Sequence, residues 1–546
     1  MNSLRTKWSV FRAPTVIAVA CIYLCGSCSV QETKYCPDFE MITPVFEIDT
    51  KLIDTDSAIF FSGNASSYYS LYRYSNDSLI RLSEDSANVL HPFLFRNTLV
   101  GLTDSLGNEK FQPTSIALKM ILKGEPIKDV FSFDNGNILV ALKHDNELCL
   151  IASDNSIETI ARVSGQINDV VYYEAGHTII VSFDDTLMGI DIRTLVKTLY
   201  TAQVPGLKLN LSIHSNKLLF CSNYESEFYR IYQININHPD SSPELVLAST
   251  GDLRLPEYSH GKLFFIETLR NEYLLKSKDT TSERITEITT QGVVYDYVPR
   301  QNGDIAIVYS DLETPKCLRI YSPKNNTTTQ ITGSNYNTGL SATFVGPTER
   351  SAAYVLTLPA NRPVHGLILY LHPGLHSDFS PRWDMLLMNL CTNGFIVVAP
   401  NYPMSAGFGK TFHDQQLTDA VDDLKKWTVY LRDQYKIPLH CLSSSSGNII
   451  MENLIASEGD KITSSASLFG VPSNLGAGDI PKSILHILGG NDPFIPAEAR
   501  KSQLTSQFSF KSALIIEFPD EGHWFRNSKN QLKAAREIYC YFKNNN

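Results

Sequence analysis

The 546-residue sequence predicts two domains in series, a β-propeller of seven blades followed by an α/β-hydrolase domain. Three observations predict this. Short alternating apolar–polar segments fill residues 35–345. They recur with a period of about 40 residues. Beyond Ser351 apolar strands alternate with amphipathic helices, and the serine run Ser443 to Ser446 falls on the turn between one strand and one helix.

The N-terminus stands apart. Arg5, Lys7 and Arg12 precede an apolar stretch, Ala13 to Leu24, and the small residues Cys25, Gly26, Ser27 and Cys28 follow. This is the layout of a secretory signal. The apolar core is shorter than the roughly 20 residues of a membrane span. Gly26-Ser27-Cys28 resembles the end of a bacterial lipoprotein signal, with Cys28 as the lipidated first mature residue and Cys25 where a leucine is usual. Residues 1–28 are therefore expected to be an export signal or lipoprotein anchor. The chain is expected to be exported, either periplasmic and membrane-anchored or secreted, and membrane attachment, where it occurs, runs through this segment.

Each alternating segment in the first half reads as a strand, as in SLYRYS, NILVALKH, VVYYEAG and KLLFCSNY, with Asn, Asp, Gly and Ser in the turns. Unit ends fall near Leu82, Leu122, Val163, Leu199, Leu247, Ile288 and Ile331, at gaps of 40, 41, 36, 48, 41 and 43 residues. A four-stranded blade has two apolar faces and buries neither alone. Radial stacking buries both. Seven unit ends predict seven blades.

The second half, 346–546, opens on the strand Leu367 to Leu371 within GLILYLHPG. A helical stretch, Trp383 to Thr392, and the strand Phe395 to Ala399 follow. Asp414 to Tyr435 is the clearest amphipathic helix, with Leu417, Val421, Leu424, Trp427 and Leu431 on one face. The strand before the serine run comes next, then the amphipathic stretch Ile449 to Ala456. SASLFGV, SILHILGG and SALIIEFP are later strands, and a helix from Lys529 to Phe542 closes the chain. Apolar strands alternating with helices make a mostly parallel sheet covered on both faces.

The formal net charge of −10 is spread along the chain with no basic patch, so nucleic-acid binding has no electrostatic support. Outside the leader the seven cysteines are odd in number and widely spaced, which fits neither a disulfide scaffold nor a zinc site. His372 and His376 are four apart but sit in a Pro-Gly loop without acidic ligands in a fitting pattern, so no metal and no cofactor are expected.

Three segments then carry a resemblance. Gly394 to Gly409 reads GFIVVAPNYPMSAGFG, LGGNDPFIP carries Asp492, and PDEGHWF carries His523. With the serine run and the HPG of His372 to Gly374, the chain resembles the prolyl oligopeptidase family of serine peptidases, which joins a propeller to an α/β-hydrolase domain. In that family the nucleophile stands in Gly-x-Ser-x-Gly-Gly. Here Ser443 replaces the first glycine and Asn448 the last, while Gly447 is kept. This register makes Ser445 the nucleophile.

Amide or ester hydrolysis by serine needs an exposed hydroxyl, an imidazole to take its proton and a carboxylate to fix the imidazole. Ser445, His523 and Asp492 are expected in these roles, each following a strand and so sharing the carboxyl edge of the sheet. The oxyanion donors expected are the backbone N–H groups of Ser446 and, by the family pattern, Gly374. His372 and Tyr402 are further candidates for lining the pocket. The resemblance implies an oligopeptide substrate admitted past the propeller. Two other readings stand beside the peptidase: a carboxylic ester hydrolase of the same fold, and an exported propeller binding protein without catalysis.

Overall fold

The computed structural model describes residues 39–546 apart from 43–45, 56, 65–68, 84–87, 105–110, 123–126, 134–137, 145, 152–154, 201–205, 337, 349–350, 358–362, 476–483 and 508–512. The expected leader and Cys28 lie outside these residues. Among the described residues no helix is long and apolar enough to cross a membrane.

Seven antiparallel meanders follow one another at 47–81, 89–113, 129–162, 167–200, 209–247, 252–287 and 293–330. The last two are joined by one parallel pair, Tyr273 with Val293. Each sheet buries a face against the next. Val140 and Leu148 of the third meet Val170 and Ile179 of the fourth, and Ile180 of the fourth meets Leu218 and Phe220 of the fifth. The ring closes in the same way, because Ile48, Ile59 and Phe61 of the first sheet cluster with Ala306, Val308 and Leu318 of the seventh.

Aspartates on the inner strands reinforce this stacking. Asp169 accepts the Val170 N–H on one oxygen and the Leu211 N–H of the next blade, at 2.7 Å, on the other. Asp296 of the seventh blade does the same with Tyr297 and with Leu52 of the first. Arg300 Nε also reaches Asp54 at 3.1 Å across that closing seam.

The second blade departs from the expected pattern. Among the described residues it has three strands, and its unit end near Leu122 is not a strand but a helix, Ile116–Ile121. Ser115 caps the helix by accepting from the Leu118 N–H. Leu118 and Leu122, four apart, point into the core while Ile116 and Met120 are exposed.

The hydrolase sheet has eight strands in the order Ser341–Thr348, Ser351–Thr357, Phe395–Asn401, Gly366–Leu371, Leu439–Ser444, Ser464–Leu468, Ile484–Gly489, Ala513–Phe518. From Phe395–Asn401 onward neighbours are parallel. Helices Met385–Thr392 and Ser528–Asn544 cover one face. Leu417–Tyr435 and Gly447–Glu458 cover the other.

Two domain limits need correction. Ser341 to Val345, placed in the propeller by their alternation, pair with Ser351–Thr357 and open the hydrolase sheet. Residues 39–42 also pack on the hydrolase domain. Asn393 and Asn389 of helix Met385–Thr392 each pair through their side-chain amide with the backbone of Glu40 and Ile42 respectively. Four hydrogen bonds at 2.6–2.9 Å thus fasten this segment to the helix.

Candidate active site

The strand Gly366–Leu371 is the switch point of the sheet. The next strand, Phe395–Asn401, lies on one side of it and the one after, Leu439–Ser444, on the other. Loops leaving the carboxyl ends of strands at such a point flank a crevice. Here those loops carry His372 to Gly374 and Ser445.

Ser445 sits between strand Leu439–Ser444 and helix Gly447–Glu458 with φ +49, in the left-handed region. A non-glycine residue there is strained and needs support from its surroundings. The support is specific. The Ser445 N–H donates to Leu468 O at 2.9 Å, and its carbonyl accepts from the Val471 N–H at 3.0 Å. Close packing fixes the following turn. A Cβ on Gly447 would stand 2.6 Å from the carbonyl oxygens of both Leu371 and His372, so only glycine lets the helix start there.

Ser445 Oγ lies 2.8 Å from His523 Nε2, and His523 Nδ1 lies 2.8 Å from Asp492 Oδ2. The other Asp492 oxygen accepts the Phe494 and Ile495 N–H groups, each at 2.8 Å, which locks the carboxylate against rotation. The structure therefore brings the three sequence-predicted residues, 78 and 31 positions apart from their partners, into one hydrogen-bonded line.

The two expected oxyanion donors lie on abutting loops. The Ser446 N–H donates to no protein acceptor among the described residues. Gly374 has φ +71, and its carbonyl accepts from the Ser377 N–H, which turns the loop.

His372 and Tyr402 do not line a pocket. They are 1% and 0% exposed and stack with ring centroids 4.3 Å apart. The Tyr402 hydroxyl donates to His372 O at 2.9 Å, and His372 Nε2 meets Ser405 Oγ at 2.9 Å. Burial pulls the His372 pKa down to about 4, so the ring is neutral. The pair holds the HPG loop to the Tyr402 loop from beneath.

Sequence reasoning missed the residues around the imidazole. Phe494 and Trp524 set their rings against His523, with centroids at 5.1 and 4.9 Å, yet remain 61% and 39% exposed. Both stand inside the motifs of Asp492 and His523, and an aromatic beside a catalytic motif was the available signal. It also missed a network below the nucleophile helix. Glu452, buried, takes Asn448 Nδ2 at 2.8 Å, Arg500 at 2.9 Å, the Ser473 N–H at 3.0 Å and the Ser473 hydroxyl.

A cavity of about 740 Å³ lies between the propeller and the hydrolase domain. Its hydrolase wall includes His376 and Arg382, on the loop that carries Gly374, with Ala406, Gly407, Gly409, Lys410 and His413. The domains are locked at its edge. Asp378 accepts from the Tyr273 hydroxyl at 2.8 Å and from Asn271 Nδ2 at 2.9 Å, and Glu227 accepts the N–H and hydroxyl of Thr411. Hydrogen bonding to the Asp378 carboxylate, with Arg254 and Arg382 nearby, outweighs its burial and keeps its pKa below the usual value. Among the described residues no group of His, Cys, Asp and Glu is arranged to hold a metal.

No protein-family profile and no curated protein sequence matches the chain. Solved structures do. A puromycin-hydrolyzing peptidase of Mycobacterium tuberculosis superposes with a TM-score of 0.74 at 13% identity, over 92% of this chain and 94% of that one. The chain has the fold of this peptidase. Oligopeptidase B of Leishmania major is similar at a TM-score of 0.73 and 10% identity, over 92% and 87% of the two chains. A prolyl endopeptidase is similar at 0.76 and 9%, over 92% and 90%. The likeness spans both domains, so the propeller-plus-hydrolase architecture read from the sequence is the observed one. What the geometry adds is a serine, a histidine and an aspartate in hydrogen-bond contact at the expected edge.

Proposed function

We propose that this chain is a serine peptidase that hydrolyses oligopeptides. The observation that carries the reading is the line Ser445–His523–Asp492, with both links at 2.8 Å. His523 Nε2 takes the proton as Ser445 Oγ adds to the scissile carbonyl, and Asp492 holds the ring in the tautomer that presents Nε2. The N–H groups of Ser446 and Gly374 receive the oxyanion. Collapse passes the proton to the leaving amine and leaves an acyl-Ser445. Water, deprotonated by His523, then releases the acid.

The peptide preference rests on the cavity. Its 740 Å³ lies in the range of pockets that take drug-sized ligands, which suits a short chain and not a folded protein. The solved relatives in fold are peptidases, which favours amide over ester hydrolysis. A fluorophosphonate probe tests the reading. Labelling of the wild-type chain that vanishes in Ser445→Ala, together with cleavage of a peptide library read by mass spectrometry, is the expected result. Folded protein that takes no label, or that turns over short-acyl esters and no peptide, overturns it.

A further inference from the structure

Two arginines line the interdomain cavity, one from each domain. Arg254 extends from strand Asp252–Ser259 of the sixth blade, and Arg382 from the hydrolase loop that also bears Gly374. Among the described residues neither side chain makes an ion pair or a hydrogen bond; Arg254 lies over the Tyr273 ring, its Cζ 4.8 Å from the centroid. A guanidinium is charged at any pH a protein tolerates and carries five N–H donors. Half-buried, with Asp378 near but no carboxylate in hydrogen-bond contact, each is poised for an anion.

The carboxylates near them are already engaged. Asp378 gives its oxygens to Tyr273, Asn271 and the Ser380 hydroxyl. Asp252 accepts the Tyr229 N–H at 2.9 Å, Asp414 meets His413 Nδ1 at 3.0 Å, and Glu227 is held by Thr411. The two arginines are thus the cavity's uncommitted donors with a fork geometry, one on each domain.

We propose that Arg254 and Arg382 form a carboxylate-binding site for the substrate, taking the free C-terminus of a peptide or an acidic side chain at the same place. The proposal rests on the peptidase reading and narrows its substrate class. A C-terminus held there belongs to the leaving side of the scissile bond. C-terminal fragments are then the products released into the cavity. Because one arginine comes from each domain, a bound carboxylate also bridges the propeller to the hydrolase domain.

The test reads binding and does not depend on turnover. In the Ser445→Ala chain, matched N-acetylated tetrapeptides ending in a free acid or a carboxamide are titrated by calorimetry. The acid is expected to bind about tenfold tighter or more, since hydrogen bonds to charged groups are the strong ones. Arg382→Gln and, separately, Arg254→Gln are expected to erase most of that difference, and Arg382→Lys to restore part of it. A carboxamide with one glutamate matching the acid assigns the site to side-chain carboxylates; one that stays weak assigns it to the C-terminus. Equal affinity of acids and amides throughout, or a preference that survives both glutamine variants, overturns the proposal. Cleavage of acids and amides at equal rates with no affinity difference keeps the peptidase and sinks this site. Tighter binding of acids by a chain that cleaves no peptide does the reverse.

Discussion

Ser443 and Asn448, the two departures from the glycine-flanked nucleophile turn, meet each other: Ser443 Oγ lies 3.5 Å from Asn448 Oδ1. Both are buried. Space for the asparagine comes from Gly470, where a Cβ would stand 2.8 Å from Asn448 Cγ. Asn448 Nδ2 then donates to Glu452 and to Val471 O, both at 2.8 Å. Val471 in turn holds the Ser445 carbonyl. The asparagine therefore replaces a close glycine contact with a tether that reaches the strained serine through one residue.

This tether predicts an asymmetry between the two positions. Asn448→Gly removes a donor from buried Glu452 and frees Val471, which should cost about 1–3 kcal/mol of stability and slow fluorophosphonate labelling of Ser445. Ser443→Gly loses only a long contact and should cost less than about 1 kcal/mol with labelling intact. Urea unfolding and labelling rates on the two variants check it. Equal effects at both positions would mean that the tether is not what supports the turn.

The hydrogen-bonded line itself sets the size of catalytic losses. Asp492→Asn keeps a side chain of the same shape but lets His523 take the wrong tautomer. It should lower kcat for peptide cleavage by roughly 10⁴, as loss of the orienting carboxylate does in serine proteases. Stability should change little by comparison, because the amide oxygen can still accept from Phe494 or Ile495. A fall of less than tenfold would show that His523 does not act through Asp492.

How far the sequence foretold this site follows from distance along the chain. The nucleophile turn is local: an apolar strand, Ser445 and Gly447 stand together, so strand, turn and helix could be read directly. Asp492 and His523 were readable because each sits in its own short motif after a strand. His372 and Tyr402 were placed in the pocket because a sequence shows that two rings follow neighbouring strands but not that they stack inward on each other. Arg254, Arg382 and Asp378 gave no signal, since Asp378 meets Asn271, 107 residues away in the chain, only through docking of the two domains. The helix Ile116–Ile121 and the strand segment Ser341 to Val345 differ from the sequence reading for another reason: alternation and apolar spacing over so few residues fit either domain or either structure.

The buried pair under the nucleophile helix yields a stability prediction. Arg500 and Glu452 have side chains 1% and 0% exposed and meet at 2.9 Å. Arg500→Met leaves the Glu452 charge without its counter-ion and should destabilise the hydrolase domain by about 3–5 kcal/mol. Arg500→Lys keeps a charge but loses the planar fork, so its loss should be smaller. Urea midpoints measure both. A methionine variant within about 1 kcal/mol of wild type would argue that Glu452 is protonated or solvated once alone.

The inner-strand acids of the propeller give stability an unusual pH dependence. Burial raises the pKa of Asp169 and of Asp296 from 3.8 to about 6. Burial first, and the nearby Asp296 charge second, raise Glu257 to about 7. Their folded values exceed their unfolded ones, so between about pH 4 and pH 6 the folded chain binds more protons than the unfolded chain. Stability from these groups accordingly rises as pH falls through that window, and above it each buried charge is a fixed penalty. Asp296→Asn removes the penalty and also one of the acceptors that close the ring through Leu52. The lost acceptor is a pH-independent offset; the charge is not. Thermal midpoints of wild type and Asp296→Asn between pH 5 and 8 should therefore diverge in one direction, the variant gaining on the wild type as pH rises through 6 and levelling off above it. Acid effects of groups that do not interact with Asp296 cancel in the difference, while Glu257, which the Asp296 charge raises, extends the variant's gain toward pH 7. A difference that stays flat from pH 5 to pH 8 would mean that Asp296 is ionised at the closing seam throughout, with its two backbone donors offsetting its burial.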